Sequence, residues 1–272
     1  MFGVSVSQIN LLLDTILASF LISGSVSWLY TAERLTELPL GLIGIAVATV
    51  ILPSLSAKHA QKSDVEFRAM LDWALRVIVL VGVPSSLAMF ILAEPMIATL
   101  FQYGKFSQHD VLMSAGALKA LSGGILAFML IKVFAPGYYS RQDVKTPVKI
   151  GIIAMISNMV FNLMLVWHFK HVGLAFASTL SAFLNAGLLY WGLHKQNVFR
   201  MEKHWIVLGL RYAAANVSMV AVLLLITPEL KYWFAATAWY KAGYLLAICV
   251  AGALTYLVVL TLVGVKWRSL KH

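Results

Sequence analysis

Charged residues are scarce in this sequence. Only 12% of its 272 residues are Asp, Glu, Lys or Arg, whereas 61% are hydrophobic, and the mean hydropathy is +0.85. A soluble domain of this size needs a much more polar surface than this composition can supply. The shortage of charge therefore argues against a soluble domain and predicts an all-α integral membrane protein.

Cysteine and clustered carboxylates are also missing. Cys249 is the one cysteine, so an intrachain disulfide is excluded, and no zinc-type spacing, Walker loop or dinucleotide-binding glycine pattern occurs. Asp and Glu total 11 and lie mostly in loops, which disfavours a membrane-embedded enzyme that would need paired carboxylates. The net charge of +10 comes without aromatic residues interleaved among the basic ones, so it predicts cytoplasmic loops beside anionic lipid and no nucleic-acid partner.

Long apolar segments are what the sequence does contain. A helix that crosses the hydrocarbon needs roughly 20 apolar residues. The segments that qualify are about 4–23, 27–56, 73–93, 108–139, 147–167, 172–193, 205–226 and 241–265. All eight tryptophans fall at or just beyond segment ends, where amphipathic rings prefer the membrane–water interface. We therefore predict about eight transmembrane helices, of which the second and fourth carry extra turns or a kink.

Basic residues are distributed unequally between the two sides of these segments. Twelve lie in one set of connections: Lys58, Lys62, Arg68, Arg141, Lys145, Lys149, Lys195, Arg200, Lys203, Lys266, Arg268 and Lys271. The alternate connections hold Lys105, Lys170, Lys231 and Lys241. The positive-inside rule then places both termini in the cytoplasm. A signal peptide is the alternative for the first segment, but that segment lacks a basic start and contains Gln8, Asn10 and Asp14.

A charged cluster opens the second segment, in "TAERLTELPLG" at residues 31–41. Arg34 and Glu37 are three apart and share a helical face. The pair is either an internal salt bridge that lets the helix pack, or an anion-binding arginine held by Glu37, since the guanidinium fork suits phosphate. Lys119, in the fourth segment, is a second cation that we expect to line a cavity.

Polar oxygens recur on three of the predicted spans. Asp14 lies mid-way along the first, Asn158 and Asn162 are one turn apart on the fifth, and Ser178 lies on the sixth. Such groups either converge on a small cation or hold helices together through interhelical hydrogen bonds worth about 0.6 kcal/mol each. An ionised Asp14 in the membrane needs a cation or a hydrogen-bond donor beside it.

Two long stretches resemble a known family. "TAERLTELPLGLIGIAVATVILPSLS" is similar to the eighth helix of the MurJ (MviN) family, and "KVFAPGYYSRQDVKTPVKIG", residues 132–151, is similar to its tenth helix and the turn that follows. The resemblance implies a flippase of the MOP exporter superfamily in the bacterial inner membrane. Such a protein has fourteen helices in two lobes around a cationic cavity and moves lipid II, the undecaprenyl-diphosphate-linked peptidoglycan precursor, for cell-wall synthesis.

The resemblance also implies roles for individual residues. Arg34 would contact the substrate's diphosphate, with Glu37 orienting it and Lys119 as a further substrate-binding cation. Asp14, Asn158, Asn162 and Ser178 fall on the helices that build a sodium site in some family members, although Asn162 stands where a second carboxylate is expected. No other cofactor is implied.

The resemblance covers helices seven to fourteen only. Residues 1–200 would form the C-terminal six-helix lobe, and residues 201–272 two additional helices that make a groove for the lipid tail. The expected partners are lipid II, membrane lipids and an N-terminal lobe that this sequence lacks. Two alternatives stay open: an exporter of another polyprenyl-diphosphate-linked saccharide, and a truncated or regulatory lobe that is inactive alone.

Overall fold

The structure, a computed structural model, describes residues 2–265, and all its regular secondary structure within that range is helical. Lys266, Trp267, Arg268 and Lys271, which entered the sequence prediction, lie outside the described residues. The helices are α1 (Phe2–Ser19), α2 (Ser25–Pro39), a π-helix (Leu40–Ile45), α3 (Ala46–Ala60), α4 (Asp64–Ile91), α5 (Ala93–Leu100), α6 (Gln108–Ser122), α7 (Ile125–Tyr139), α8 (Lys145–Lys195), α9 (His204–Ile226), α10 (Leu230–Ala235) and α11 (Ala238–Leu262).

Six continuous helical stretches of the described chain are long and apolar enough to cross a membrane, where the sequence predicts about eight crossings. The difference lies first in α8, whose 51 residues would extend roughly 75 Å if straight, far beyond a bilayer core. Lys170 has non-helical dihedral angles (φ 52°, ψ −132°), and Asn158, which precedes it, donates to Ser178, which follows it, at 3.4 Å. The chain therefore reverses at Lys170, and α8 supplies the fifth and sixth predicted segments as two arms.

The first predicted segment corresponds to α1, which with the divided α8 accounts for eight segments. The two segments predicted to be kinked are indeed interrupted. In the second segment, Pro39 directly precedes the π-helix between α2 and α3. The helix is interrupted here because proline removes a backbone donor and disturbs the preceding turn. The fourth segment breaks at Gly123 and Gly124, between α6 and α7. The predicted all-α membrane fold is confirmed.

Gly124 shows why glycine is needed at the second break. A Cβ atom there would lie 2.8 Å from the Thr179 Oγ1 and 3.2 Å from the Thr179 Cα. The backbone of the α6–α7 junction therefore packs directly against the second arm of α8. This contact is one of those that position α8 against α6 and α7.

The core lies around α4, which contacts α3, α6, α7 and α9. Leu75, Ile78, Leu118 and Ile125 are completely buried there. On the periphery, apolar side chains such as Leu225 remain exposed, as lipid-facing positions of a membrane protein do. The helices α9 and α11 pack against each other and against α4 and α5, while the division of the chain near residue 200 stays a prediction.

Candidate functional site

A cavity of about 730 Å³ opens between α1 and α2. Polar and charged side chains line one side of it: Asp14 and Thr15 from α1, and Tyr30, Glu33, Arg34 and Glu37 from α2. Gly24 allows the chain to reverse between the two helices, because its φ of 101° is in the left-handed region. A Cβ at this position would also lie 2.6 Å from the Trp28 ring.

Arg34 is held on two sides but leaves most of its donors available. Its Nη1 lies 3.3 Å from the Glu37 Oε2, and its guanidinium carbon lies 4.8 Å from the centre of the Tyr30 ring. The side chains of Arg34 and Glu37 are 56% and 65% exposed, so the ion pair itself adds little stability. With five N–H donors, the guanidinium can still bind an anion in the cavity while Glu37 and Tyr30 restrict its orientation.

Tyr30 and Glu33 were given no role by the sequence interpretation. Tyr30 precedes Arg34 by four residues, a spacing that places both side chains on one helical face and was a usable signal. Glu33 is half-buried and lines the same cavity as Asp14. Two acidic side chains therefore accompany Glu37 around the one arginine that lines this cavity in the described part of the chain.

Beside the cavity, the structure brings together all four residues of the predicted cation set. Asn162 Nδ2 donates to the Asp14 Oδ1 at 2.6 Å and lies 3.1 Å from the Asn158 Oδ1. Ser178 Oγ donates to the other Asp14 oxygen at 3.1 Å. Asn158 and Asn162 are completely or almost completely buried. Side chains of α1 and of both arms of α8 thus meet in one oxygen-rich cluster.

One acceptor of the cluster and one near it on α1 have no hydrogen-bond partner, which bears on whether the cluster fits a cation. The side-chain oxygens of Asn162 and of Asn10, one turn before Asp14, are buried without a hydrogen-bond partner. Leaving such atoms unpaired is costly, and a hard cation accepts carboxylate and amide oxygens as ligands. No group of three or more His, Cys, Asp or Glu side chains that could hold a metal occurs among the residues described. A donor set with one carboxylate and neutral oxygens suits a monovalent cation.

Lys119 is not brought to Arg34. Its Nζ lies 2.5 Å from the Glu94 Oε1 on α5 and 5.9 Å from the Phe90 ring centre, and Lys119 does not line the α1–α2 cavity. Its predicted role in substrate binding stays a prediction. The ion pair instead connects α6 to the short helix that follows α4.

An apolar groove of about 360 Å³ runs between α4, α9 and α11. Leu80, Pro84, Met219 and Tyr256 line it, and the Tyr256 hydroxyl donates to the Leu80 carbonyl at 2.6 Å. Gly252 also lines this groove, where a Cβ would lie 2.8 Å from the Leu223 side chain. This is the region that the resemblance assigns to a lipid tail.

The structure is thus that of a multi-pass all-α membrane protein with a charged cavity open between two of its helices. Within that class, the family model described as "Lipid II flippase MurJ" matches residues 1–245. The chain belongs to the MurJ family.

Relatives and solved structures agree with this assignment. The chain is 48% identical over 271 residues to the probable lipid II flippase MurJ of Vibrio cholerae serotype O1, covering 100% of this chain and 52% of that protein. It is 48% identical over 276 residues to the Haemophilus influenzae protein of the same description, covering 99% and 54%. The chain thus spans about half the length of the curated relatives it matches.

Among solved structures, lipid II flippase MurJ in an inward closed conformation superposes with a TM-score of 0.79 at 24% identity. That superposition covers 94% of this chain and 51% of the other. A MATE transporter in the straight conformation superposes with a TM-score of 0.62 at 15% identity, covering 96% and 62%. At these identities the likeness concerns the fold.

Proposed function

We propose that this chain forms one lobe of a transporter that flips lipid II across the bacterial inner membrane for peptidoglycan synthesis. Membership of the MurJ family and the descriptions of its relatives support this proposal. Transport of this kind makes or breaks no covalent bond, so the chain is not an enzyme. Its partners are lipid II, membrane lipids and an N-terminal lobe.

The observation that carries the proposal is Arg34, an exposed arginine fixed by Tyr30 and Glu37 at a cavity within a membrane protein. A diphosphate carries several oxygens that a guanidinium fork can bind with two parallel hydrogen bonds. Glu37 keeps the guanidinium in the cavity without using all its donors. When the diphosphate enters, Arg34 binds it while Glu37 offsets part of the positive charge, which permits later release.

Binding of lipid II to the full chain in lipid nanodiscs tests this role. We expect Arg34→Ala to weaken binding roughly tenfold or more, since a hydrogen bond to a charged group contributes about 1.5–3 kcal/mol. Arg211→Ala is the matched control, because Arg211 contacts the Gly264 carbonyl and does not line the cavity. Equal affinity of the two variants would contradict the role of Arg34. Competition with other polyprenyl-diphosphate saccharides separates lipid II from the alternative substrates.

We further propose that flipping requires the N-terminal lobe. Transporters with two lobes work by rocking one against the other around a central site. Vesicles that contain only this chain should therefore not transfer fluorescent lipid II between leaflets. Transfer by the chain alone would refute this requirement. Binding of lipid II without transfer, even in vesicles that also contain the N-terminal lobe, would favour a regulatory lobe.

We also propose that Asp14, Asn158, Asn162 and Ser178 hold a sodium ion. The buried, unpaired amide oxygens of Asn10 and Asn162 support this proposal over one in which the cluster serves only as interhelical glue. A bound cation would stabilise the ionised form of Asp14 and tie α1 to both arms of α8. The chain's residues then link ion occupancy to the position of α1, one wall of the cavity.

A further inference from the structure

A second polar cleft lies at the N-terminal part of α4, and its lining residues are separate from those of the sites described above. Its volume is about 620 Å³, and it is bounded by the N-terminal part of α4 and the segment between α8 and α9. Three arginines line it, Arg68 and Arg76 from α4 and Arg200 from the connecting segment, together with His204. None of them belongs to the α1–α2 cavity or to the apolar groove.

Arg68 and Arg200 converge on one neutral residue. Arg68 Nη2 donates to the Asn197 backbone oxygen at 2.8 Å, and Arg200 Nη2 donates to the Asn197 side-chain oxygen at 2.5 Å. Asn197 has a φ of 56°, a left-handed conformation that asparagine tolerates better than most residues. The turn thus holds two guanidiniums close together, each with several N–H donors still available.

The carboxylates of the cleft are committed to other groups. Asp72 forms an ion pair with Arg76, accepts a hydrogen bond from the Trp205 indole at 2.6 Å and lies 3.4 Å from the His204 Nε2. Glu202 lies 3.4 Å from the other His204 nitrogen. In the described range, neither Arg68 nor Arg200 forms an ion pair with a carboxylate. Two neighbouring positive charges are therefore left for an anion to compensate.

A tryptophan beside the cleft indicates its depth in the membrane. Trp205, at the start of α9, donates to Asp72 of the cleft, and tryptophan prefers the membrane–water interface, which predicts that the cleft lies near the lipid headgroups. The excess of basic residues predicts that this end of the bundle is cytoplasmic, the side on which anionic lipid attracts basic segments. The cleft is therefore within reach of both membrane lipids and soluble ions.

We propose that this cleft is a phosphate-binding site in which Arg68 and Arg200 hold the phosphate group of an anionic phospholipid or a free phosphate ion. Two guanidinium forks can bind three or more oxygens of one phosphate group. Asp72 is paired with Arg76, and Glu202 is an exposed carboxylate whose nearest ionisable neighbour is His204, so neither forms an ion pair with Arg68 or Arg200 in the described range. Occupancy would connect α4 to the segment that leads into α9 and α11.

The test uses the full chain in nanodiscs and has two arms. In the first, electron paramagnetic resonance measures the preference for spin-labelled phosphatidylglycerol over phosphatidylcholine. In the second, calorimetry measures binding of inorganic phosphate to the chain in pure phosphatidylcholine. We expect a preference of roughly fivefold or more in at least one arm, phosphatidylglycerol over phosphatidylcholine or phosphate over chloride. A preference for phosphatidylglycerol alone identifies a lipid headgroup as the ligand, and a preference for inorganic phosphate alone identifies a soluble ion. A preference in both arms shows that the cleft binds the phosphate group from either source.

The Arg68→Gln/Arg200→Gln variant should lose that preference, while Arg211→Gln, at another arginine bonded to a backbone carbonyl, should keep it. If the glutamine variant does not fold, Arg68→Lys/Arg200→Lys replaces it. This variant keeps both positive charges but loses the paired guanidinium donors, so its preference should fall below that of the unsubstituted chain. The proposal is overturned if the unsubstituted chain shows no preference in either arm, or if the Arg68/Arg200 variants behave like Arg211→Gln.

Discussion

The buried asparagine Asn162 is uncharged, but it is central to the polar cluster around Asp14. Asn162 touches both Asp14 and Asn158, and it leaves its own side-chain oxygen unpaired. A hydrophobic residue at this position would remove the nearest donor to a carboxylate that lies among membrane helices. Burying the Asp14 carboxylate and an unpaired amide oxygen among membrane helices therefore costs free energy, which apolar packing between the same helices would not. A bound cation would offset that cost.

Removing the carboxylate of the cluster tests the sodium proposal. We expect Na⁺ to raise the thermal midpoint of the full chain relative to choline, because a ligand at 100 times its Kd adds about 2.7 kcal/mol of stability. Asp14→Asn should abolish this difference, since it removes the single charged ligand. The exposed carboxylate of Glu229, which is paired with Lys231, offers the control Glu229→Gln, which should respond to Na⁺ as the unsubstituted chain does. Identical midpoints in Na⁺ and choline would refute the site.

The sequence indicated which residues could meet in this cluster, but it did not indicate a partner for Lys119. Asp14, Asn158 and Ser178 are polar exceptions within apolar runs, so they stand out in the sequence. Glu94 does not, because it opens a short helix after α4 and nothing nearby in sequence indicates that it faces Lys119. Ion pairs between distant segments depend on tertiary packing, which periodicity does not encode.

At the scale of elements, the arrangement of the helices depends on the junctions between them. The sequence predicted the apolar spans from their length and composition. It also predicted breaks in the two longest, but not the contact between Gly124 and Thr179, because that contact joins residues far apart in the chain. The reversal at Lys170, in contrast, could be predicted, because the length of the apolar run on each side of it is enough for a separate span.

Adjacent glycines at the α6–α7 junction allow a matched test of this packing. Gly124→Ala would place a methyl group 2.8 Å from the Thr179 hydroxyl, so we expect destabilisation of about 1–3 kcal/mol, as for overpacking in a core. Gly123→Ala should have a small effect, since its Cβ would meet the nearest atom at an ordinary 3.6 Å. Denaturation of both variants in detergent provides the comparison. Equal loss of stability would show that the junction tolerates the close approach.

For the whole molecule, the orientation in the membrane decides which ligands can reach the α1–α2 cavity and the Arg68–Arg200 cleft. We propose that both ends of the chain are cytoplasmic and that the protein lies in the inner membrane. Under this topology the Arg68–Arg200 cleft faces the cytoplasm, whereas the α1–α2 junction lies towards the outside. The fold itself follows from the helices and their contacts, and the orientation rests on the distribution of lysine and arginine.

Cysteine labelling in intact bacterial cells measures this orientation. In a Cys249→Ser background, an impermeant maleimide should modify Lys105→Cys, in the α5–α6 connection, without permeabilisation. Gln61→Cys, between α3 and α4, should react only after the inner membrane is opened. Both positions are exposed, so access to the reagent depends on the side of the membrane. The reverse labelling pattern would invert the topology.

The π-helix at Leu40–Ile45 alters the phase of the long second span. A π-turn holds one residue more than an α-turn, and such bulges are frequent at functional sites. Buried positions such as Ile51 and Leu55 accordingly fall about one to two residues later than an uninterrupted 3.6-residue repeat from Trp28 would place them. Deleting a single residue here would rotate the buried stripe of α3 by about 100° relative to α2. The π-helix therefore lets the two halves of one span bury different faces, Ala32 and Leu35 in α2 and Ile51 and Leu55 in α3.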